Sequence, residues 1–222
     1  EADKLAQQLE STNRERQRMT QELTAQARAR VAAFVDDHLL FVAAPEFPEG
    51  IIGLIAGRIS EEFYRPAVAV HVGEAESRGS ARSISEFNII AALDECKDLL
   101  VRHGGHAAAA GFTVRNENLG ALENRLRALA RQTLADRELA RTIHIDAEAE
   151  LGEMNWDLQK ALEQLAPFGY GNREPVFASR NVMVRDARVV GTDHLKLTVS
   201  DGKLSWDAIA FRQGKWLPAL PK

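Results

Sequence analysis

Gly104-Gly105-His106-Ala107-Ala108-Ala109-Ala110-Gly111 places three glycines and four alanines around a single imidazole. With so little side-chain bulk, the backbone can come close to whatever lies over it, and glycine adopts left-handed angles that other residues avoid. Successive exposed N–H groups in such a turn can bind an anion. The same residues also suit a purely structural role, because glycine commonly ends a helix and alanine packs closely.

The segments around this stretch predict a domain in which strands and helices alternate. Apolar spacing predicts a helix over 88–101, closed by Gly104, and a short strand over 112–114. By the same criteria we expect strands over 39–43 and 67–72, a helix that begins at residue 50, and a helix over 116–136. Such alternation is typical of an α/β sandwich.

The N-terminal residues predict a long helical segment. Leu5 and Leu9 share one helical face, and the capping-box pattern of Thr12-Asn13-Arg14-Glu15 predicts that a second helix opens there. From that point apolar residues recur at helical spacing over about six turns. They are Met19, Leu23, Ala27, Val31 and Val35. A long helix with so narrow an apolar stripe usually packs on something else.

A second polar stretch, Arg78-Gly79-Ser80-Ala81-Arg82-Ser83, is predicted to lie on a strand. Ser80 and Arg82 are two residues apart and therefore point to the same face. Hydroxyl and forked guanidinium donors suit phosphate oxygens. The stretch is therefore a candidate phosphate-binding segment.

Composition limits the classes of protein and of partner. The 222 residues are 45% hydrophobic and 27% charged, and no run approaches the roughly 20 apolar residues of a membrane span, so no membrane partner is expected. The lone Cys96 is predicted to be buried and inert, and it fits a reducing, cytoplasmic location. The net charge is −4, yet residues 172–222 hold nine Lys/Arg against five Asp/Glu. That basic excess is typical of a nucleic-acid-binding region.

Taken together, three blocks resemble a known family. Gly79-Ser80-Ala81-Arg82-Ser83, followed by Gly104-Gly105-His106 with Ala109-Ala110-Gly111, resembles the DHH-associated domain of the DHH phosphoesterases. The block Pro167-Phe168-Gly169-Tyr170-Gly171-Asn172-Arg173-Glu174-Pro175-Val176-Phe177 narrows the resemblance to the RecJ branch, the single-strand-specific 5′→3′ exonucleases. The resemblance runs from about residue 5 to about residue 211.

The resemblance implies a fold and three regions. We expect a helical connector over 1–36, an α/β DHH-associated domain with a mixed sheet flanked by helices over 37–138, and an all-β OB-fold over 139–222. Short strands with tight turns over 182–190, 195–199 and 204–211, an alternating segment over 142–146 and a short helix over 156–165 agree with the last region. Only about four strands are recognisable where an OB-fold has five, so an incomplete barrel is expected.

The resemblance also assigns roles to individual residues. His106 would contact the phosphate and support a metal centre that lies elsewhere, while Ser80 and Arg82 would clamp a terminal phosphate. The other expected substrate contacts are Gly104, Gly105, Arg78, Arg58, Tyr170, Arg173 and Lys196. Each has a structural alternative: a satisfied core histidine for His106, and surface ion pairs or solvated charges for the basic residues.

No metal site is expected in this chain. DHH enzymes hold two divalent ions, Mn²⁺ or Mg²⁺, with Asp and His residues of an N-terminal domain that is absent here. Asp36-Asp37-His38 lacks partner motifs, and the remaining histidines show no ligand spacing. The resemblance therefore implies a chain that is inactive alone. The partners that it implies are the missing domain and single-stranded DNA, and single-strand-binding protein is a further candidate.

Other functions stay open at this point. A cyclic-dinucleotide or oligoribonucleotide phosphodiesterase would share the glycine–histidine domain but is not expected to carry the region after residue 139. A non-catalytic single-strand-binding or replication module would use the same OB-fold. The preference for DNA over RNA is also left open.

Overall fold

The first of two units spans Glu1–Arg141 and contains a five-stranded sheet between two layers of helix. The computed structural model describes residues 1–169 and 171–220. The elements of this unit are α1 (Ala2–Val31), β1 (Leu40–Ala44), α2 (Glu49–Phe63), β2 (Ala67–His71), β3 (Glu76–Arg82), α3 (Ile89–Asp94), β4 (Leu100–His106), β5 (Ala109–Arg115) and α4 (Leu119–Leu134).

The sheet is mixed, with the strand order β1-β2-β3-β5-β4. β1 and β2 are parallel, and every other neighbouring pair is antiparallel. Parallel neighbours need a crossover connection, which α2 supplies with its 15 residues. The predicted mixed sheet flanked by helices is confirmed.

Alternation along the strands divides the apolar side chains between two cores. Leu40 and Val42 of β1 pack with α1 and α2, whereas Phe41 packs with α3 and α4. The core beneath α3 and α4 also contains Phe112 of β5, whose ring lies against Gly79 of β3. A Cβ on Gly79 would come within 2.0 Å of that ring, so the packing requires glycine there.

Only part of the opposite face is covered by helices. α2 packs against β2 and β3, and α1 packs against α2 and β1. Beyond β3, the same face of β5 and β4 carries Arg102, Gly104, His106 and Gly111, all of which are exposed. The sheet therefore has one half-open face, at the β5–β4 end.

One continuous helix replaces the two predicted at the N-terminus. Thr12 lies inside α1, and the N-cap residue Glu1 makes no capping hydrogen bond through its side chain. Arg18 forms ion pairs with Glu15 and Glu22, one turn away on either side, and such pairs support an uninterrupted helix. The capping-box interpretation was wrong because Glu15 pairs along the helix instead of back to its start.

The helix predicted over 88–101 is wrong after its first turns. α3 ends at Asp94, a 3₁₀ turn covers Lys97–Leu99, and β4 begins at Leu100. Gly104 is therefore a strand residue and does not close a helix. Pairing of β4 with β5, which the local sequence does not reveal, overrides the helical spacing of the apolar residues.

The second unit begins at Thr142 and contains two small sheets. Its elements are β6 (Ala147–Glu148), α5 (Trp156–Glu163), β7 (Phe177–Ala178), β8 (Met183–Val190), β9 (His194–Ser200) and β10 (Ser205–Ala210). β8, β9 and β10 form an antiparallel sheet, and β6 pairs with β7 in parallel. The three strands predicted over 182–190, 195–199 and 204–211 are confirmed.

One detail of this unit differs from the sequence-based expectation, whereas the arrangement of its sheets agrees with the incomplete barrel that the sequence predicts. The segment 142–146 is not a strand, and β6 begins only at Ala147. Within residues 142–169 and 171–220 the two sheets share no strand pairing, so these residues form no closed barrel. In the described part of the chain no helix is long and apolar enough to cross a bilayer.

Candidate nucleic-acid interface

Ser80 and Arg82 lie side by side on β3, beneath α2. Arg82 Nη1 donates a hydrogen bond to Ser80 Oγ at 3.0 Å and another to the Ala81 carbonyl at 2.9 Å. Gly53 of α2 leaves room for both side chains, because a Cβ there would lie 3.1 Å from Arg82 Nη2 and 3.3 Å from Ser80 Oγ. A hydroxyl and a guanidinium are thus held together, and the described residues offer Arg82 no carboxylate partner.

The register of β3, β5 and β4 arranges polar and small residues in three cross-strand rows. Residues directly opposite each other in an antiparallel sheet point to the same face. The rows are Arg82–Ala109–His106, Ser80–Gly111–Gly104 and Arg78–Thr113–Arg102. His106 and Arg82 therefore share the half-open face, roughly 10 Å apart across two strand spacings.

The middle row forms a bare floor. A Cβ on Gly104 would meet nothing within 4 Å, and a Cβ on Gly111 would approach only the Gly79 carbonyl, at 3.7 Å. These two glycines therefore do not serve packing between elements of this chain. They form the floor of a groove of about 500 Å³. Its walls include Gly50 and Gly53 of α2 together with Ser80, Arg78 and Arg102.

Gly105 serves the turn and not the groove. Its φ is +150°, and a Cβ there would lie 2.4 Å from the Ala109 carbonyl oxygen. The pairing of His106 with Ala109 closes the β4–β5 hairpin immediately afterwards. Gly105 is thus required for the hairpin that presents His106.

His106 itself is exposed and makes no hydrogen bond within the described residues, so the satisfied-core alternative does not describe it. Other histidines are held by the fold: His71 Nδ1 lies 2.9 Å from the Phe47 carbonyl, and His103 Nε2 lies 2.7 Å from Asp94 Oδ1. The Arg212 N–H donates to His194 Nδ1 at 3.0 Å.

Arg78 and Arg58 have different surroundings from Arg82. Arg78 Nη1 lies 2.5 Å from Glu49 Oε2, so the surface-pair alternative describes Arg78 as the structure has it. Arg58 is exposed on α2 and, like Arg82 and His106, is not among the residues that line the groove itself.

The described residues contain no group suited to a metal ion. No three His, Cys, Asp or Glu side chains within residues 1–169 and 171–220 come together as ligands. Asp37 instead forms an ion pair with Arg127, with 2.5 Å between Arg127 Nη1 and Asp37 Oδ2. Arg127 Nη2 also lies 2.8 Å from Glu123 Oε1. Asp37 therefore has a structural role in the Asp36-Asp37-His38 segment. The described residues do not fit a resident metal.

In the second unit, the predicted contacts have different surroundings. Lys196 Nζ lies 2.9 Å from Asp207 Oδ2, and hydrogen bonds from Lys196 and Thr198 lower the pKa of the Asp207 carboxyl. Arg173 is exposed and has no carboxylate partner among the described residues. Tyr170 lies outside the described residues.

Arg102, Thr113 and Glu49 line the groove, and sequence reasoning did not select them. Arg102 directly follows the helix predicted over 88–101, so the sequence does not predict that it lies on a strand. Glu49 gave no signal, because its proximity to Arg78 depends on how α2 lies over β3. For Arg102, the run Leu99-Leu100-Val101-Arg102-His103 does not alternate apolar and polar residues, so the local sequence contains no strand signal.

Comparison with known proteins agrees with both units. Residues 36–135 match the model of the DHHA1 domain, and residues 145–222 match the model of the RecJ OB domain. Among curated relatives, the single-stranded-DNA-specific exonuclease RecJ of Bacillus subtilis is 31% identical over 97% of this chain and 28% of its own length. RecJ of Salmonella typhimurium is 30% identical over 95% of this chain and 38% of its own length. The chain thus spans well under half of either relative.

Solved structures give the same result. The crystal structure of Thermus thermophilus RecJ in complex with Mn²⁺ matches 96% of this chain and 31% of that chain, with a TM-score of 0.78 and 26% identity. The Mg²⁺ complex of the same protein matches with a TM-score of 0.73 and 27% identity. Since a DHHA1 domain is followed by a RecJ OB domain, and since the relatives match along nearly the whole chain, the chain belongs to the RecJ family.

Proposed function

We propose that this chain is the DNA-holding portion of a single-strand-specific 5′→3′ exonuclease that acts in DNA repair and recombination. The groove over β3, β5 and β4 binds the 5′ end of the strand, and a metal-binding domain outside these residues hydrolyses the phosphodiester. The observation that carries the proposal is the bare floor of Gly104 and Gly111, next to Ser80 and to an Arg82 that has no carboxylate partner among the described residues.

The 5′ phosphate is the group that suits Ser80 and Arg82. A guanidinium presents N–H donors in a fixed fork, and a phosphate monoester carries more negative charge than the diesters that follow it. The Ala81 carbonyl and Ser80 Oγ already orient the Arg82 fork, so little side-chain freedom is lost on binding. This pair therefore favours a strand with a phosphorylated end.

His106 extends the same row toward the edge of the sheet. It lies opposite Ala109, which lies opposite Arg82. Because its imidazole is exposed and makes no hydrogen bond to the residues that the structure describes, it can donate one to a phosphate oxygen. In the proposed function His106 binds the scissile or adjacent phosphate and supports a metal centre that this part of the chain does not contain.

The second unit is proposed to hold the strand without selecting its sequence. Arg173 has no carboxylate partner among the described residues and can contact phosphates, whereas Lys196 must first leave Asp207. Tyr170, which lies outside the described residues, is proposed to stack on a base of the strand. Stacking and phosphate contacts do not depend on base edges, so no sequence preference is expected.

The remaining parts of the proposal concern the longer protein. We propose that Mn²⁺ or Mg²⁺ is bound by an N-terminal DHH domain, and crystal structures of RecJ with either ion support this. The chain alone is then expected to be inactive. A cytoplasmic location and contact with single-strand-binding protein also belong to the proposal, and the buried lone Cys96 supports the former.

The proposal is tested by Arg82→Ala in the full-length exonuclease. Digestion rates are compared on strands with a 5′ phosphate and with a 5′ hydroxyl. We expect the preference for the phosphate to fall about tenfold, the effect of one charge-assisted hydrogen bond. Arg125→Ala removes an equal charge on α4, where Arg125 pairs with Asp98, and should leave the preference unchanged. An unaltered preference in Arg82→Ala contradicts the proposal.

A further inference from the structure

We infer that the groove contains a second anion subsite, formed by Arg78, Thr113 and Arg102, that binds an internucleotide phosphate of the same strand. The inference rests on the proposed function and goes beyond it, because that function requires only the Ser80–Arg82 end. Arg78, Thr113 and Arg102 lie directly opposite one another on β3, β5 and β4 and all line the groove.

Arg102 is the main cation of this subsite. Its Nε donates a hydrogen bond to Thr113 Oγ1 at 3.1 Å. Thr113 is only 5% exposed, so its hydroxyl fixes the direction of the guanidinium. Within the described residues no carboxylate pairs with Arg102, and its two terminal nitrogens stay available to a ligand. Arg125 and Arg127, in contrast, are each bound by carboxylates.

Arg78 is the second cation, and Glu49 competes for it. The Arg78–Glu49 pair joins β3 to the first turn of α2, and its side chains are 52% and 46% exposed. Ion pairs this exposed contribute little free energy, so a phosphate can displace the carboxylate. Glu49 thus acts as a displaceable counter-ion that holds Arg78 at the groove when no strand is bound.

The two subsites lie at opposite ends of the glycine floor. On β4, Arg102 and His106 are four residues apart, which corresponds to roughly 13 Å along the strand. Gly104 lies between them and leaves the backbone uncovered. A strand whose 5′ phosphate is bound at Arg82 therefore crosses the bare floor and presents a later phosphate to Arg102.

The test measures binding of a fluorescent 5′-phosphorylated oligothymidylate to the full-length exonuclease, with the metal chelated so that the strand is held but not cut. Arg102→Ala should weaken binding about tenfold at low salt, and its log–log salt slope should be less steep by about 0.7. Thr113→Val keeps the charge and loses only the orienting acceptor. It should cost less than Arg102→Ala and leave the salt slope unchanged.

Glu49→Gln should tighten binding by up to about fivefold, because it frees Arg78. Arg125→Ala is the matched control for charge loss, and thermal unfolding shows that each variant is folded. If Arg102→Ala binds like Arg125→Ala with an unchanged salt slope while Arg82→Ala loses affinity, the second subsite is refuted and the proposed function stands. If Arg82→Ala also binds normally, the proposed function fails as well.

Discussion

The two faces of the five-stranded sheet use glycine in opposite ways. On the face covered by α3 and α4, Gly79 makes room for the ring of Phe112, and a Cβ there would lie 2.0 Å from a ring atom. On the half-open face, a Cβ on Gly104 would meet none of the described residues within 4 Å, and a Cβ on Gly111 would approach only the Gly79 carbonyl, at 3.7 Å. One glycine closes a hydrophobic core, and the other two keep a surface accessible.

This difference separates structural glycines from candidate binding glycines within one domain. A structural glycine has a neighbour that occupies the place of its Cβ, so substitution costs folding free energy. A binding glycine has no such neighbour within the chain, so substitution costs affinity for a ligand instead. The comparison therefore predicts opposite effects of the same kind of change on the two faces.

The largest effect on stability is expected for Gly79→Ala. The added methyl group overlaps the Phe112 ring and should lower the free energy of unfolding of the first unit by about 3 kcal/mol, the upper end for overpacking. Urea unfolding followed by far-ultraviolet circular dichroism measures this, because most of the helix lies in this unit.

An internal control for Gly79→Ala is built into the chain. All three tryptophans, Trp156, Trp206 and Trp216, lie in the second unit, so their fluorescence reports on that unit separately. In Gly79→Ala, the second unit should unfold at the same urea concentration as in the wild type. If the unfolding midpoint of the first unit equals that of the wild type, the Phe112 ring moves aside at no cost in folding free energy. Gly79 would then not be a structural glycine.

A smaller, pH-dependent effect is expected at Cys96, in the core of the closed face. Burial raises the pKa of this thiol from 9.0 to about 11. The folded state thus holds the proton more tightly than the unfolded chain. Its contribution to stability should be complete below about pH 9 and decline as the pH rises toward 11.

Unfolding free energies of the wild type and of Cys96→Ala, measured from pH 7 to pH 11, check this expectation. The difference between the two proteins should shrink as the pH rises through this range. A constant difference would mean that the thiol is not buried as described. Reaction of the folded protein with a thiol reagent at neutral pH should also be slow, because the thiolate is scarce.

The smallest effect on stability is expected for Gly104→Val. Its side chain enters open space on a strand, where a β-branched residue is favoured, so the unfolding free energy should change by no more than about 0.5 kcal/mol. The same circular dichroism measurement applies. A loss comparable to that of Gly79→Ala would place Gly104 among the structural glycines.

The features that the sequence predicted correctly are those that local patterns determine. The continuous apolar runs of β1 and β2 and the apolar spacing of α2 and α4 depend on nearby residues, so the sandwich could be predicted. Ser80 and Arg82 could also be placed on one strand face, since their spacing of two requires it.

The remaining features depend on contacts between residues far apart in the chain. The helix predicted over 88–101 extends into the first residues of β4 because the pairing of β4 with β5 is invisible in that segment. For the same reason Arg102 is not predicted as a strand residue. The ion pair between Arg78 and Glu49 joins residues 29 positions apart and depends on the path of α2.

Whether the bare floor receives a strand can be measured as the affinity of the Gly104→Val variant of the full-length protein for a fluorescent oligothymidylate, with divalent metal chelated. If the bare floor exists to receive a strand, this stable variant should bind at least about tenfold more weakly than the wild type. The loss should be larger for a strand with a 5′ phosphate than for one with a 5′ hydroxyl. Wild-type affinity for both strands would contradict the account.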